Sequence, residues 1–309
     1  MYMKKTIIAL VVIIIAGFAI YFITKNYSTN KGSMDTGSGE VIETPVDETT
    51  KTAEQMAADQ KNVPVVVIGK SVENRDITAY RYGTGATELL FVGGIHGGYS
   101  WNTTLLAYEL MDYLKANPNT IPANIKVTVI PVLNPDGLNK VVGTSGRFDA
   151  SKVSNDTSVV TSGRFNSAKV DLNRNFDCDW QASGTWQSKT VSGGDNAFSE
   201  PEAVAIRNYV LNNKPSAVVG WFSAAGGVYA SSCHSGVLSA TTDMTKAFAT
   251  ASGYPAHEDY NYYELTGDMM NWLAKINVPA ISVLLTNHTD TEWTKNIAGI
   301  QAILKYFTK

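Results

Sequence analysis

Short β-branched and aromatic runs alternate with longer segments of helical periodicity through most of the chain. The short runs are bounded by Pro, Gly, Asn or Asp, as strands are, and occupy residues 65–68, 77–82, 89–92, 127–132, 217–222 and 279–285. Helical spacing of apolar residues covers 101–114, 200–212, 241–252, 266–276 and 291–307. Ser199 is the expected N-cap of the second helix. This order predicts an α/β fold, with a mixed central sheet and helices on both faces.

The first part of the chain has a different pattern. Residues 7–23 form an unbroken apolar run between Lys4-Lys5 and Lys25, just long enough for a hydrocarbon core of about 30 Å. We therefore expect a transmembrane anchor over 1–25, with a buried core helix as the alternative. Residues 26–62 are rich in Ser, Thr, Gly and charged residues and predict a flexible linker. The folded domain is expected over 63–309, outside the cytoplasm and tethered to the membrane.

Composition narrows the choice of partners. The 309-residue chain is 44% apolar with a formal net charge of -3, so no basic excess suggests a nucleic-acid partner. Its two cysteines, Cys178 and Cys233, favour a disulfide in an exported protein. Two buried free thiols are the alternative.

Four motifs follow one another in the folded part. They are Gly-Ile-His-Gly-Gly at 94–98, Asn-Pro-Asp-Gly at 134–137, Val-Asp-Leu-Asn-Arg-Asn-Phe at 170–176 and Ser-Glu-Pro-Glu at 199–202. In content and order they resemble the zinc carboxypeptidase (metallocarboxypeptidase) family of bacterial type. The resemblance implies a carboxypeptidase-like domain over 63–309, a catalytic zinc ion, and peptides or murein stem peptides as substrates.

The positions that would hold the metal depart from the family pattern. A catalytic zinc ion needs three protein ligands and an open position for water. The family supplies His-x-x-Glu and a later His; here His96 is present, Tyr99 or Ser100 takes the carboxylate position, and Phe222 takes the later one. Leu284 stands where the family has its general base, so no catalytic residue is retained. The resemblance therefore predicts a degenerate site with zinc absent or weakly bound.

The residues that face the substrate in the family are better preserved in this sequence than the metal ligands are. Asn173 and Arg174 match the pair that holds a peptide's C-terminal carboxylate, a task that suits the planar fork of arginine. Arg164, or in second place Arg147, matches the arginine that polarises the scissile carbonyl. Tyr263 matches the tyrosine that closes over the bound peptide end.

The sequence leaves three functions open. The first is a catalytically impaired peptidase homologue that binds peptide or cell-wall peptide C-termini at the membrane. The alternative is an active zinc carboxypeptidase with rearranged ligands such as His96 and His234; a partner-binding role with a vestigial site is a third. The pocket is apolar if Met270 lies at its base, and suits a basic side chain if Asp268 does.

Overall fold

The computed structural model describes residues 64–308, so the expected anchor (1–25) and linker (26–62) lie outside the described residues. The strands there are β1 (Val65–Lys70), β2 (Asp76–Tyr82), β3 (Thr87–Val92), β4 (Ile125–Ile130), β5 (Ser183–Trp186), β6 (Lys189–Ser192), β7 (Ala217–Ser223), β8 (Gly227–Ala230), β9 (Ala256–His257) and β10 (Ala280–Leu285). The α-helices are α1 (Trp101–Ala116), α2 (Pro135–Val142), α3 (Thr157–Ser162), α4 (Pro201–Asn213), α5 (Ser239–Ser252), α6 (Met269–Lys275) and α7 (Trp293–Tyr306). Over residues 64–308, every helix is too short or too polar to cross a bilayer.

Eight strands form one mixed sheet in the order β1-β2-β4-β3-β7-β10-β8-β9. The four central strands β4, β3, β7 and β10 run parallel. The strands β1 and β2 on one side and β8 on the other pair antiparallel, and β9 runs parallel to β8. The strands β5 and β6 form a separate antiparallel hairpin. The mixed sheet predicted from the strand and helix pattern is confirmed.

Both faces of the sheet are covered by helices. Along β3, Leu89 and Phe91 contribute to one buried cluster, whereas Leu90 and Val92 contribute to the other. Residues of α1, α5 and α7 complete the first cluster, and residues of α4 and α6 complete the second. Central strands are therefore apolar on both sides, which explains why they appear in the sequence as continuous apolar runs.

Some element boundaries differ from those expected. The predicted N-cap Ser199 is wrong: α4 begins at Pro201 with Glu200 as its N-cap, and the Ser199 hydroxyl donates to Glu200 Oε1 at 2.8 Å. Helix α6 begins at Met269 rather than 266, because the Asp268 side chain accepts a hydrogen bond from Asn271 N at 2.9 Å. Helices α2 and α3 and the β5–β6 hairpin were not predicted, since short elements carry little periodicity.

The predicted disulfide is confirmed. Cys178 and Cys233 are bonded, with their Cα atoms 6.2 Å apart. The bond joins the segment after the Asn173-Arg174 motif to the segment that follows β8.

Candidate functional site

Three parallel strands bring the expected metal positions to one edge of the sheet. His96 follows β3, Phe222 lies near the end of β7 and Leu284 near the end of β10. Phe222 and Leu284 are direct partners in the β7–β10 register. Since the carboxyl ends of parallel strands meet at one edge, all three side chains line the same cavity. The structure therefore groups these positions as the sequence pattern suggests.

Close glycine packing places the His96 segment. Gly97 has a positive φ of +44°, and a Cβ there would lie only 2.5 Å from the carbonyl oxygen of Gly163. A Cβ at Gly137, in the Asn-Pro-Asp-Gly motif, would lie 2.3 Å from the same oxygen. The two glycine-containing motifs thus meet at the turn that precedes Arg164, which brings that arginine close to His96.

His96 is buried, and its ring nitrogens have no hydrogen-bond partner among residues 64–308. Its Nε2 lies 3.7 Å from Asp171 Oδ1, and its ring centroid lies 5.8 Å from that of Phe222. Burial lowers the pKa of His96 well below its usual range, with further lowering by the charges of Arg164 and His288. A neutral imidazole is therefore available as a hydrogen-bond acceptor or as a single metal ligand.

Arg164 is the arginine that faces this cavity. Its Nε and Nη2 donate to Asp171 Oδ2 at 2.9 and 2.8 Å, and its guanidinium lies 4.5 Å from the centre of the Trp186 ring. Its Nη1 makes no hydrogen bond within the part of the chain that the structure describes. The second candidate, Arg147, lies on the surface, where it forms two hydrogen bonds with Asp112. Arg164 can thus offer a fixed donor to a bound anion.

The Asn173-Arg174 pair is divided between two environments. Asn173 lines the cavity and donates to Asp268 Oδ2 at 2.7 Å. Arg174 points elsewhere: its Nη1 donates to Thr266 Oγ1 at 2.8 Å and its Nη2 to the carbonyl oxygen of Thr185 at 2.7 Å. Its guanidinium lies beside a smaller cavity of about 230 Å³. The geometry does not bring Arg174 to the cavity that contains His96.

We call the space around this histidine the His96 cavity; its volume is about 520 Å³, within the range of small-molecule sites. Aromatic rings form much of its wall, namely Tyr99, Trp186, Phe222, Tyr260, Tyr262 and Tyr263. Tyr263 also lies over the Arg174 guanidinium, at 5.6 Å from its ring centre. Of the two residues considered for the carboxylate position, Tyr99 lines the cavity, whereas Ser100 is buried and does not line it.

Of the two residues considered for the base of the specificity pocket, only one lines the His96 cavity. Asp268 lines the cavity, and burial raises the pKa of its carboxyl group. Met270 is buried against Gly220 and does not line the cavity. His234 lies beside the disulfide, where its Nε2 pairs with Asp179 Oδ1 at 2.9 Å on the surface.

His288 is a cavity residue that the sequence patterns did not identify. It follows β10, lines the cavity, and packs against the Tyr99 ring with the ring centroids 4.5 Å apart and the planes tilted by 59°. Burial and the Arg164 charge lower the pKa of His288, so both histidines of the cavity favour the neutral form. A histidine just after the carboxyl end of a central strand was the available signal.

The donor set does not fit a three-ligand zinc site. Over residues 64–308, the only three His, Cys, Asp or Glu side chains close enough to share an ion are Cys178, Asp179 and Cys233. These two cysteines form the disulfide, so neither sulfur is available as a thiolate ligand. At the His96 cavity, the phenyl ring of Phe222 and the isobutyl group of Leu284 offer no lone pairs. Asp171 Oδ1 lies 3.7 Å from His96 Nε2, but among residues 64–308 His96 belongs to no group of three donors close enough to share an ion, as a catalytic zinc site requires.

Comparison with known proteins agrees with the fold and the motifs. The model of the zinc carboxypeptidase family matches residues 49–298. A curated relative, gamma-D-glutamyl-L-diamino acid endopeptidase 1 of Lysinibacillus sphaericus, is 25% identical over 215 residues, covering 63% of this chain and 54% of the relative. The chain thus spans about half the length of that relative.

Two solved structures have the same fold. Murein-tripeptide amidase MpaA from Escherichia coli O157 superposes with a TM-score of 0.54 at 17% identity, covering 80% of this chain and 94% of that one. Bovine thrombin-activatable fibrinolysis inhibitor superposes with a TM-score of 0.60 at 15% identity, covering 82% of this chain and 94% of that one. At these identities the likeness concerns the fold alone.

Proposed function

The chain belongs to the zinc carboxypeptidase family, and from that premise we propose that it binds peptide C-termini without cleaving them efficiently. Zinc would be absent or weakly bound, and the domain would be tethered to the membrane by residues 1–25 and lie outside the cytoplasm. Peptides or murein peptides are the proposed ligands, because relatives are named for γ-D-glutamyl and murein-peptide substrates.

One observation supports the proposal: Arg164 and His96 line a cavity of about 520 Å³, in which Phe222 and Leu284 stand at the positions where the family pattern has a metal ligand and the general base. A single neutral imidazole would hold zinc weakly, and activation of water near neutral pH depends on that ion. Leu284 cannot accept a proton from water, so the base that completes hydrolysis is missing as well. The aromatic wall and Arg164 nevertheless remain available to a ligand.

Arg164 is the proposed anchor for the ligand's carboxylate, in place of the Asn173-Arg174 pair expected from the sequence. The pairing with Asp171 fixes the guanidinium and leaves Nη1 to donate to an anion. A charged hydrogen bond of this kind stabilises a complex by about 1.5–3 kcal/mol, which corresponds to about 10- to 100-fold in affinity. His96, as a neutral acceptor, would receive a hydrogen bond from an N–H or O–H group of the same ligand.

Titration of the full chain with a peptide that has a free C-terminus, and with its C-terminal amide, tests this function. We expect the free acid to bind at least 10-fold more tightly, with no loss of the C-terminal residue in the presence of added zinc. Arg164→Lys, which keeps the charge beside Asp171 but loses the fork, should remove most of that preference. Arg147→Lys, a surface control, should leave it unchanged. Equal affinity for acid and amide, or rapid turnover, would contradict the proposal.

An active zinc carboxypeptidase with rearranged ligands is the second candidate, favoured by the presence of His288 in the same cavity as His96. If it is correct, peptidase activity is abolished by a chelator and by His288→Ala. The matched control His234→Ala should retain activity, because His234 pairs with Asp179 outside the cavity. Equal loss in both variants would argue against this ligand set.

A further inference from the structure

We propose that a second cavity, on the other side of Trp186, binds an acidic segment of the same peptide whose C-terminus occupies the His96 cavity. This inference rests on the proposed function and extends it to a ligand class. We call this second cavity the lysine groove, after Lys140, Lys169 and Lys189, which line it. Its volume is about 1060 Å³, roughly twice that of the His96 cavity.

The two cavities share one wall, the β5–β6 hairpin. Residues of β5 and the turn, Thr185 to Ser188, line the His96 cavity, whereas Lys189 to Ser192 of β6 line the lysine groove. Trp186 borders both. Its ring has Arg164 at 4.5 Å and Phe165 at 6.1 Å, and Phe165 lines the groove. A peptide that leaves the His96 cavity over the β5–β6 hairpin would therefore approach the groove on the other side.

The charge of the lysine groove is unbalanced. Its three lysines are exposed and none forms an ion pair among residues 64–308, although the charge of Lys140 acts at longer range on the Glu73 carboxylate. The two acids that line the groove are already engaged: Glu73 pairs with Arg75, and Asp136 accepts from Arg75 and from Ser71, each at 2.6 Å. The Ser167 hydroxyl also donates to Glu73. The groove therefore offers three exposed ammonium groups to an incoming anion, whereas both of its carboxylates already have partners.

Hydroxyl groups add neutral hydrogen-bonding capacity between the lysines. Thr157, Thr161 and Thr190 line the groove along with several serines. Carboxylates accept hydrogen bonds from both hydroxyl and ammonium donors, so a chain with one or more acidic side chains matches this lining. An uncharged or basic segment would leave the lysines without a partner.

The test compares two peptides that share a C-terminal residue and differ only in upstream Glu or Gln residues. Each exposed charge pair contributes only a few-fold in affinity, so three lysines predict a preference of roughly 3- to 30-fold for the acidic peptide. That preference should decrease as salt rises from about 0.05 to 0.5 M, because exposed charges are screened. The binding is measured by calorimetry with the full chain.

Variants that remove lysine charges test whether the lysine groove causes the preference for the acidic peptide. The triple variant Lys140→Gln, Lys169→Gln and Lys189→Gln should lose the preference yet bind the neutral peptide as the wild type does. Lys246→Gln, on α5, serves as the surface control and should keep the preference. If the wild type binds both peptides equally, or the triple variant retains its preference, the lysine groove is not the acidic subsite. Failure of both peptides to bind would overturn this inference together with the proposed function.

Discussion

Replacement of Asp171 by Asn removes the charge that organises the His96 cavity. This carboxylate is fully buried and accepts two hydrogen bonds from Arg164, at 2.9 and 2.8 Å. It also lies 3.7 Å from His96 Nε2 and 3.8 Å from Arg174 Nε. Asp171→Asn keeps the shape of the side chain but leaves the buried Arg164 guanidinium without a counter-charge.

The expected loss in the free energy of unfolding follows from the burial of this ion pair. Loss of one partner of a buried ion pair costs about 3–5 kcal/mol, because the remaining charge is left uncompensated in a low-dielectric interior. The chain contains a matched pair on its surface, Arg147 with Asp112, joined by two hydrogen bonds of 2.8 and 2.7 Å. Those side chains are 52% and 62% exposed, so Asp112→Asn should cost at most about 1 kcal/mol.

Equilibrium urea unfolding of the two variants at pH 7 measures both free energies of unfolding. We expect Asp171→Asn to be the less stable by about 2–4 kcal/mol, with similar slopes against urea. Peptide binding should weaken as well, since the Arg164 fork is no longer fixed. Equal destabilisation by the two substitutions would refute the view that Asp171 is the electrostatic centre of the site.

The remaining predictions concern a glycine and a carboxylate away from the cavity wall. In urea unfolding, Gly267→Ala should lower the free energy of unfolding by about 1–3 kcal/mol more than Gly253→Ala does. Both glycines have a positive φ, but only at Gly267 would a Cβ meet a backbone atom, the Arg174 carbonyl oxygen at 2.2 Å. For Glu292, burial acts to raise the pKa, but hydrogen bonds from Lys295, Thr286 and Tyr254 outweigh it and hold the pKa at about 2. Because the folded-state pKa is depressed, this stabilisation, which solvent screening of the partly exposed carboxylate reduces, is present above pH 4.5 and is lost as the pH falls towards 2. The stability difference between wild type and Glu292→Gln should therefore shrink over that interval; a constant difference would contradict the assignment.

The central strands could be predicted because their continuous apolar runs indicate burial on both faces of the sheet. The long helices could be predicted because their apolar residues recur at helical spacing. The meeting of His96, Phe222 and Leu284 at one edge of the sheet could be predicted as well, because the strands that precede or contain them are parallel and their carboxyl ends lie at the same edge. The β5–β6 hairpin left no such pattern: its strands are short and mostly exposed. The boundary between the His96 cavity and the lysine groove therefore became visible only in three dimensions.

The orientation of Arg174 depends on tertiary contacts that no local pattern encodes. Its hydrogen bonds go to Thr185 of the hairpin and to Thr266, which are remote in sequence. The motif identified the residue but could not indicate which cavity it faces. His288 was missed for a related reason, because its place beside Tyr99 depends on the course of the loop after β10.

The zinc content of the purified protein distinguishes a degenerate metal site from a working one. Zinc per chain is measured after equilibration of the full-length protein with micromolar zinc and removal of loosely bound ion. The Tyr99→Glu and Phe222→His double variant, which restores the family's ligand types beside His96, is the comparison. We predict far less than one zinc ion per wild-type chain and about one per double-variant chain. Stoichiometric zinc in the wild type, lost on His96→Ala, would show that the metal site is functional and not degenerate.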